Sequence, residues 1–124
     1  MDQAAPEPVT LLLCATCDGA DRDGDRSAIS KALNRQGLGA RVRLALVDCM
    51  GACKHPVSLG IQGEGRASYV FAGVRPQQDA DDIAGTCQTY LNAPGGWIED
   101  ARPCGRLRDC LRARLPALAC EESL

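Results

Sequence analysis

Two cysteine pairs, Cys14-x2-Cys17 and Cys49-x3-Cys53, each stand at the end of a short apolar run, and no other feature constrains the fold of this chain as tightly. Val9–Cys14 is apolar without alternation, which reads as a short buried strand. Arg41–Asp48 alternates basic and apolar residues before turning fully apolar, and suits a second strand beside the first. Between them Ser27 is placed to cap a helix running to about Gln36, with Ile29, Ala32 and Leu33 on one face and Gly37 as its stop. In a strand–helix–strand unit the two parallel strands end on the same side of the sheet. The loops that follow them converge, although 31 residues separate Cys17 from Cys49.

The remainder of the chain extends this unit. Val57–Gln62 and Arg66–Ala72 are β-prone and flank Gly63-Glu64-Gly65, a hairpin signal that predicts antiparallel neighbours. Gln77–Asn92 spaces Ala80, Ile83, Ala84, Cys87, Tyr90 and Leu91 at helical intervals, with Asp79 as its cap, and Gly95-Gly96 breaks the chain. From Pro103 to about Leu118 the stripe Leu107, Cys110, Leu111, Leu115 and Leu118 predicts an amphipathic helix interrupted by Pro116, its arginines forming the wet face. The expected fold is a mixed α/β sheet in the order β-α-β-β-β-α with an extra C-terminal helix. It forms one domain over residues 9–124, after a polar lead-in over residues 1–8.

Composition narrows the function. Of the chain's 124 residues, 18 are Ala and 8 are Cys, so bulky apolar side chains are scarce and the core is lean. The balance of 14 basic against 16 acidic residues, with four aromatics, supplies neither the field nor the stacking rings that nucleic-acid binding requires. No apolar run approaches a membrane span, and no basic segment of the kind that opens a secretion signal precedes the first one. The chain is therefore expected to be soluble and cytoplasmic, where eight cysteines are better explained by metal or redox chemistry than by disulfides.

Thiolates are soft anionic ligands, and four of them suit either an iron–sulfur cluster or tetrahedral zinc. Gly51, inside Cys49-Met-Gly-Ala-Cys53, removes a side chain where the loop must curl and lets backbone N–H groups approach sulfur. Thiol–disulfide exchange at Cys14-Ala-Thr-Cys17 is the third chemistry, weakened because the expected helix starts ten residues after Cys17 and cannot lend its dipole. Cys87 and Cys110 fall on apolar helix faces and read as core packing, whereas Cys104 and Cys120, near the ends of the terminal helix, read as loose or surface thiols. His55 reads as a solvent-facing neighbour of the cysteine set. Asp18, Asp21, Asp23 and Asp25 lack the spacing of a calcium loop and form a solvated acidic patch suited to steering a basic redox partner.

The segment Cys49-Met-Gly-Ala-Cys53-Lys-His-Pro56, closing one strand and followed by an apolar strand and a hairpin, resembles the C-x-G-x-C…P segment of thioredoxin-like [2Fe–2S] ferredoxins, a group that includes the small iron–sulfur subunit of respiratory NADH dehydrogenase. The resemblance covers roughly residues 8–92. It implies a thioredoxin-like fold and a [2Fe–2S] cluster, with Cys14 and Cys17 on one iron and Cys49 and Cys53 on the other. It also implies single-electron transfer to a redox partner protein without a substrate of its own, and a homodimer by analogy. Two departures stand out: the first pair is more closely spaced than in those ferredoxins, and Pro56 comes one residue early. From about Val9 to Leu118 the chain is also similar to an uncharacterised family of small bacterial predicted metal-binding proteins, which shares the early CxxC, the CMGAC core, Tyr69-Val70-Phe71 and Arg112-Ala-Arg-Leu-Pro116. That family is sometimes found beside cobalamin-biosynthesis genes, so the alternative function is a zinc or cobalt carrier or sensor using the same four cysteines.

Overall fold

Strand β1 (Val9–Cys14) lies at the interior of a five-stranded sheet, and the computed structural model describes residues 9–14, 22–47 and 57–117 of the chain around it. On one side β2 (Val42–Val47) runs parallel to β1, in register from Val9↔Val42 to Cys14↔Val47. On the other side β3 (Leu59–Gln62) and β4 (Ser68–Phe71) form the expected antiparallel hairpin, followed by β5 (Leu111–Leu115). The order β2-β1-β3-β4-β5 makes a mixed α/β sheet, and its first four strands have the order and directions of a thioredoxin-like sheet.

Two helices, α1 (Arg22–Arg35) and α2 (Ala80–Asn92), pack against each other, and Arg35 Nη2 reaches Asp81 Oδ1 at 2.6 Å across their exposed seam. Along β1, Val9, Leu11 and Leu13 are buried while Thr10 and Leu12 are half-buried, so one sheet face carries the core. Ile29, Ala32 and Leu33 of α1 and Ala80, Ile83, Ala84, Cys87 and Tyr90 of α2 are buried in that core, as their helical spacing predicts, while Leu91 is half-buried against it. Each fully buried Leu or Ile contributes roughly 1.5–3 kcal/mol.

Helix α1 begins earlier than the expected Ser27 cap and takes in part of the expected acidic loop. Asp23 and Asp25 occupy its first turn, where negative charge faces the positive end of the helix dipole. Asp25 is buried and accepts a 3.2 Å hydrogen bond from Gln77 Nε2, so it is not part of a solvated patch. The C-terminal stop is as expected: Gly37 adopts φ +73°, Leu38 N–H donates to Leu33 O at 2.8 Å and Gly37 N–H to Asn34 O at 3.1 Å.

With few bulky residues, the aromatic side chains anchor the core. The Tyr90 ring is fully buried edge-on to Tyr69, with ring centres 5.9 Å apart, and its hydroxyl donates to Ala67 O. Tyr69 donates to Gly96 O at 3.1 Å and accepts from Ile98 N at 2.8 Å, tying the turn after α2 to the sheet.

The expected C-terminal helix is overturned. Arg102–Cys110 forms 3₁₀ turns interrupted at Gly105 (φ +61°, ψ −132°), and Leu111–Leu115 leaves them as the edge strand β5, paired antiparallel with β4. The apolar stripe at helical spacing was compatible with both forms, because Leu111, Ala113 and Leu115 also alternate with Arg112 and Arg114. Two tertiary terms decide it. The outer edge of β4 carries backbone groups that β5 satisfies, and the Asp82 carboxylate accepts the N–H of Arg106 at 3.1 Å, a bond available only because the chain reverses at Gly105. The arginines change role accordingly. Arg106 turns inward onto Asp79 at 2.7 Å and Gly73 O at 2.8 Å, and Arg114 stacks over Trp97 with its guanidinium carbon 4.0 Å from the ring centre.

Asp79 holds the N-cap position of α2 but makes no side-chain cap bond. Its buried carboxylate instead accepts from Arg75 N at 2.8 Å and from Arg106. Burial opposes ionisation there, and the Arg106 and Arg75 bonds outweigh it, holding the carboxyl below its ordinary 3.8. A carboxylate more acidic in the folded than in the unfolded chain stabilises the fold above its unfolded value and loses that effect as the pH falls through its folded value. The urea-midpoint gap between the unsubstituted chain and Asp79→Asn is expected to be constant near neutrality and to narrow below pH 3.8. A gap that widens on acidification would contradict the assignment.

Candidate thiol site at the carboxyl end of an interior strand

Cys14 is the last residue of β1, and its side chain is fully buried. Along the strand, buried and half-buried residues alternate as far as Leu13. Alternation then places Cys14 on the face of Thr10 and Leu12, yet Cys14 is as buried as the core residues. Three chain segments meet around it. Parallel β2 ends in register at Val47, opposite Cys14. On the antiparallel side the Cys14 N–H donates to Ser58 O at 3.1 Å, the bond that continues the Leu13↔Leu59 register by one residue. Val57, next to Ser58, is locked to Val74 by reciprocal 3.1 Å backbone bonds.

Of the four expected ligands Cys14 alone is among the described residues; Cys17, Cys49 and Cys53 lie outside them, as do Gly51, His55, Pro56, Asp18, Asp21 and Cys120. Among the described residues no three His, Cys, Asp or Glu side chains gather to hold a metal ion. Of the acidic residues read as a steering patch, Asp23 is exposed and Asp25 is withdrawn into the protein.

Ser58 was missed in the sequence. Its side chain is fully buried, and its hydroxyl has no hydrogen-bond partner among the described residues. The available signal was a lone hydroxyl in the apolar run Val57-Ser58-Leu59, one residue beyond the strand pairing that begins opposite Leu13.

The remaining described thiols are structural. Cys87 and Cys110 are buried as expected. Cys104 is buried too, against its reading as a loose thiol, because the 3₁₀ turns press it onto α2; a Cβ added at Gly85 of that helix would lie 2.8 Å from Pro103 O. Burial, with a smaller contribution from Cys104 nearby, pushes the Cys87 thiol up to about 12. Burial likewise raises Cys104, against the side chains of Thr86 and Thr89, and raises Cys110, against Arg106. Thiols held in the protonated form are poor nucleophiles. At pH 8 iodoacetamide is expected to leave Cys87, Cys104 and Cys110 unmodified in the folded chain and to label all three in urea, as read by peptide mass spectrometry; rapid labelling of the folded chain would contradict their burial.

These features define a small mixed α/β protein of thioredoxin-like topology with a buried thiol at the carboxyl end of its interior parallel strand. The chain belongs to the family described as "Protein of unknown function (DUF1636)", which matches residues 11–117. No curated protein matches it. Among solved structures, a thioredoxin-like [2Fe–2S] ferredoxin from Aquifex aeolicus is similar at 15% identity and a TM-score of 0.46, over 73% of this chain and 98% of that one. Among the described residues no helix is long and apolar enough to cross a membrane.

Proposed function

We propose that the protein carries a [2Fe–2S] cluster on Cys14, Cys17, Cys49 and Cys53 and exchanges single electrons with a partner protein, with no substrate of its own. One observation carries this reading: β1 and β2 end in register at Cys14 and Val47, and the chain re-enters the sheet beside them at Val57 and Ser58. All four cysteines belong to the segments that leave or enter at that place. At about 3.3–3.6 Å per residue, Cys17 is tethered within roughly 11 Å of Cys14, Cys49 within roughly 7 Å of Val47 and Cys53 within roughly 14 Å of Val57.

The chemistry of the donor set fits the group. Four thiolates supply two sulfurs to each iron, and Cys14 offers a buried one on a backbone pinned on both sides by the sheet. When bound, the cluster supplies one-electron oxidation and reduction. The chain's own contribution is positional: strand pairing holds Cys14, and Gly51 and Pro56 are the residue types that would let a ligand loop curl towards sulfur and stiffen it. Exposed Asp23, together with Asp18 and Asp21 in the sequence, supplies negative charge to steer a basic partner.

Anaerobically purified protein is expected to be coloured, to contain iron and acid-labile sulfide in equal amounts at two of each per chain, and to show an EPR signal on one-electron reduction. A colourless protein with one zinc or cobalt per chain would overturn the proposal in favour of a metal carrier or sensor. A metal-free protein that cycles a single Cys14–Cys17 disulfide would place it among thiol–disulfide proteins.

A further inference from the structure

Ser58 presents a buried hydroxyl with no partner among the described residues. Leaving such a group unsatisfied costs about 1–3 kcal/mol, so one that persists inside a protein calls for an acceptor. Its position points to one. The Cys14 N–H bond to Ser58 O extends the β1–β3 register, which makes Ser58 the residue directly opposite Cys14. Residues directly opposite in an antiparallel pair project to the same face, with Cβ atoms about 5 Å apart. Both residues are fully buried, so the Ser58 hydroxyl is cut off from water on the sheet face that Cys14 shares.

We propose that Ser58 is a positioning residue whose hydroxyl donates a hydrogen bond to the Cys14 sulfur when that sulfur is a metal-bound thiolate. The inference rests on the four-cysteine reading above and deepens it. A thiolate is a better acceptor than a thiol, which accounts for an unpartnered hydroxyl on the residue opposite Cys14. A donor to a ligand sulfur favours the more negatively charged, reduced state of the centre and orients the ligand.

The test uses the full chain carrying its native centre, with Ser58→Ala and Ser58→Thr. Alanine deletes an unpartnered hydroxyl and little volume, so this variant is expected to fold and to bind iron as before. Its centre is expected to be harder to reduce by about tenfold in the equilibrium constant, a potential about 59 mV lower for a one-electron couple. Ser58→Thr, which keeps the hydroxyl, is expected to stay within about threefold of the unsubstituted chain. An unchanged potential in iron-loaded Ser58→Ala overturns the inference and leaves the cluster reading intact. If Ser58→Ala does not hold its centre, Ser58→Thr and Ser58→Val, matched in shape, replace the comparison. Loading or a higher potential confined to the threonine chain supports the inference; equal behaviour of the two overturns it. If the unsubstituted protein holds no iron, the cluster reading fails, and the same variants are compared after loading with cobalt(II). A shifted thiolate-to-cobalt absorption band in Ser58→Ala then supports the Ser58 assignment, and an unshifted one overturns it.

Discussion

Cys14→Ser, Cys17→Ser, Cys49→Ser and Cys53→Ser are each expected to reduce iron and sulfide to less than about a tenth of the unsubstituted amount, because serine oxygen is a hard, reluctantly ionised donor where soft sulfur is needed. Visible absorption and iron analysis on proteins purified together read the result. Cys87→Ala and Cys110→Ala are the controls. Both thiols are buried, Cys110 with its sulfur against Gly73 O, and losing one small group costs on the order of 1 kcal/mol of stability with the metal content unchanged. Equal iron loss in Cys87→Ala would overturn the ligand assignment. Full iron in Cys49→Ser would move the centre away from the edge where β1 and β2 end.

Gly105→Ala carries the second large effect, and its sign separates two folds. Were Pro103–Leu118 a helix, replacing the first-turn glycine by alanine would stabilise it, by up to about 1 kcal/mol. The observed backbone at Gly105 has φ +61° and ψ −132°, and an added Cβ would lie 2.3 Å from Asp82 Oδ1 and 2.4 Å from its Cγ. The substitution must then strain the backbone and displace the carboxylate that accepts the Arg106 N–H, for a loss of about 2–4 kcal/mol. Thermal unfolding is expected to shift down by roughly 10 °C. An upward shift would restore the helical reading. Because the Arg106–Asp79 pair lies one residue on, Gly105→Ala is also expected to weaken the acid dependence assigned to Asp79.

How much of this was legible in the sequence differs from element to element. The strand Val9–Cys14, the hairpin around Gly63-Glu64-Gly65 and the buried faces of both helices were readable, because each is written in local periodicity that a single dominant partner surface then honours. The start of α1 was not, because Asp23 and Asp25 read as loop residues until the helix dipole and Gln77 give them a place. Cys104 and Arg106 were misread for a related reason. Cys104 was assigned from its place near the end of an expected helix and Arg106 from that helix's wet face, and neither holds once the chain reverses at Gly105.

The sequence by itself determined the strand–helix–strand unit, the lean apolar core and two cysteine pairs at the ends of two strand-forming apolar runs, since spacing and hydrophobic pattern are local properties of the chain. Only the tertiary structure decided that Leu111–Leu115 pairs as an edge strand, that Arg106 serves a buried carboxylate and that Ser58 stands opposite Cys14. Those outcomes depend on which backbone edge lacks a partner and which polar group is cut off from water, and such demands arise only when distant segments are brought together.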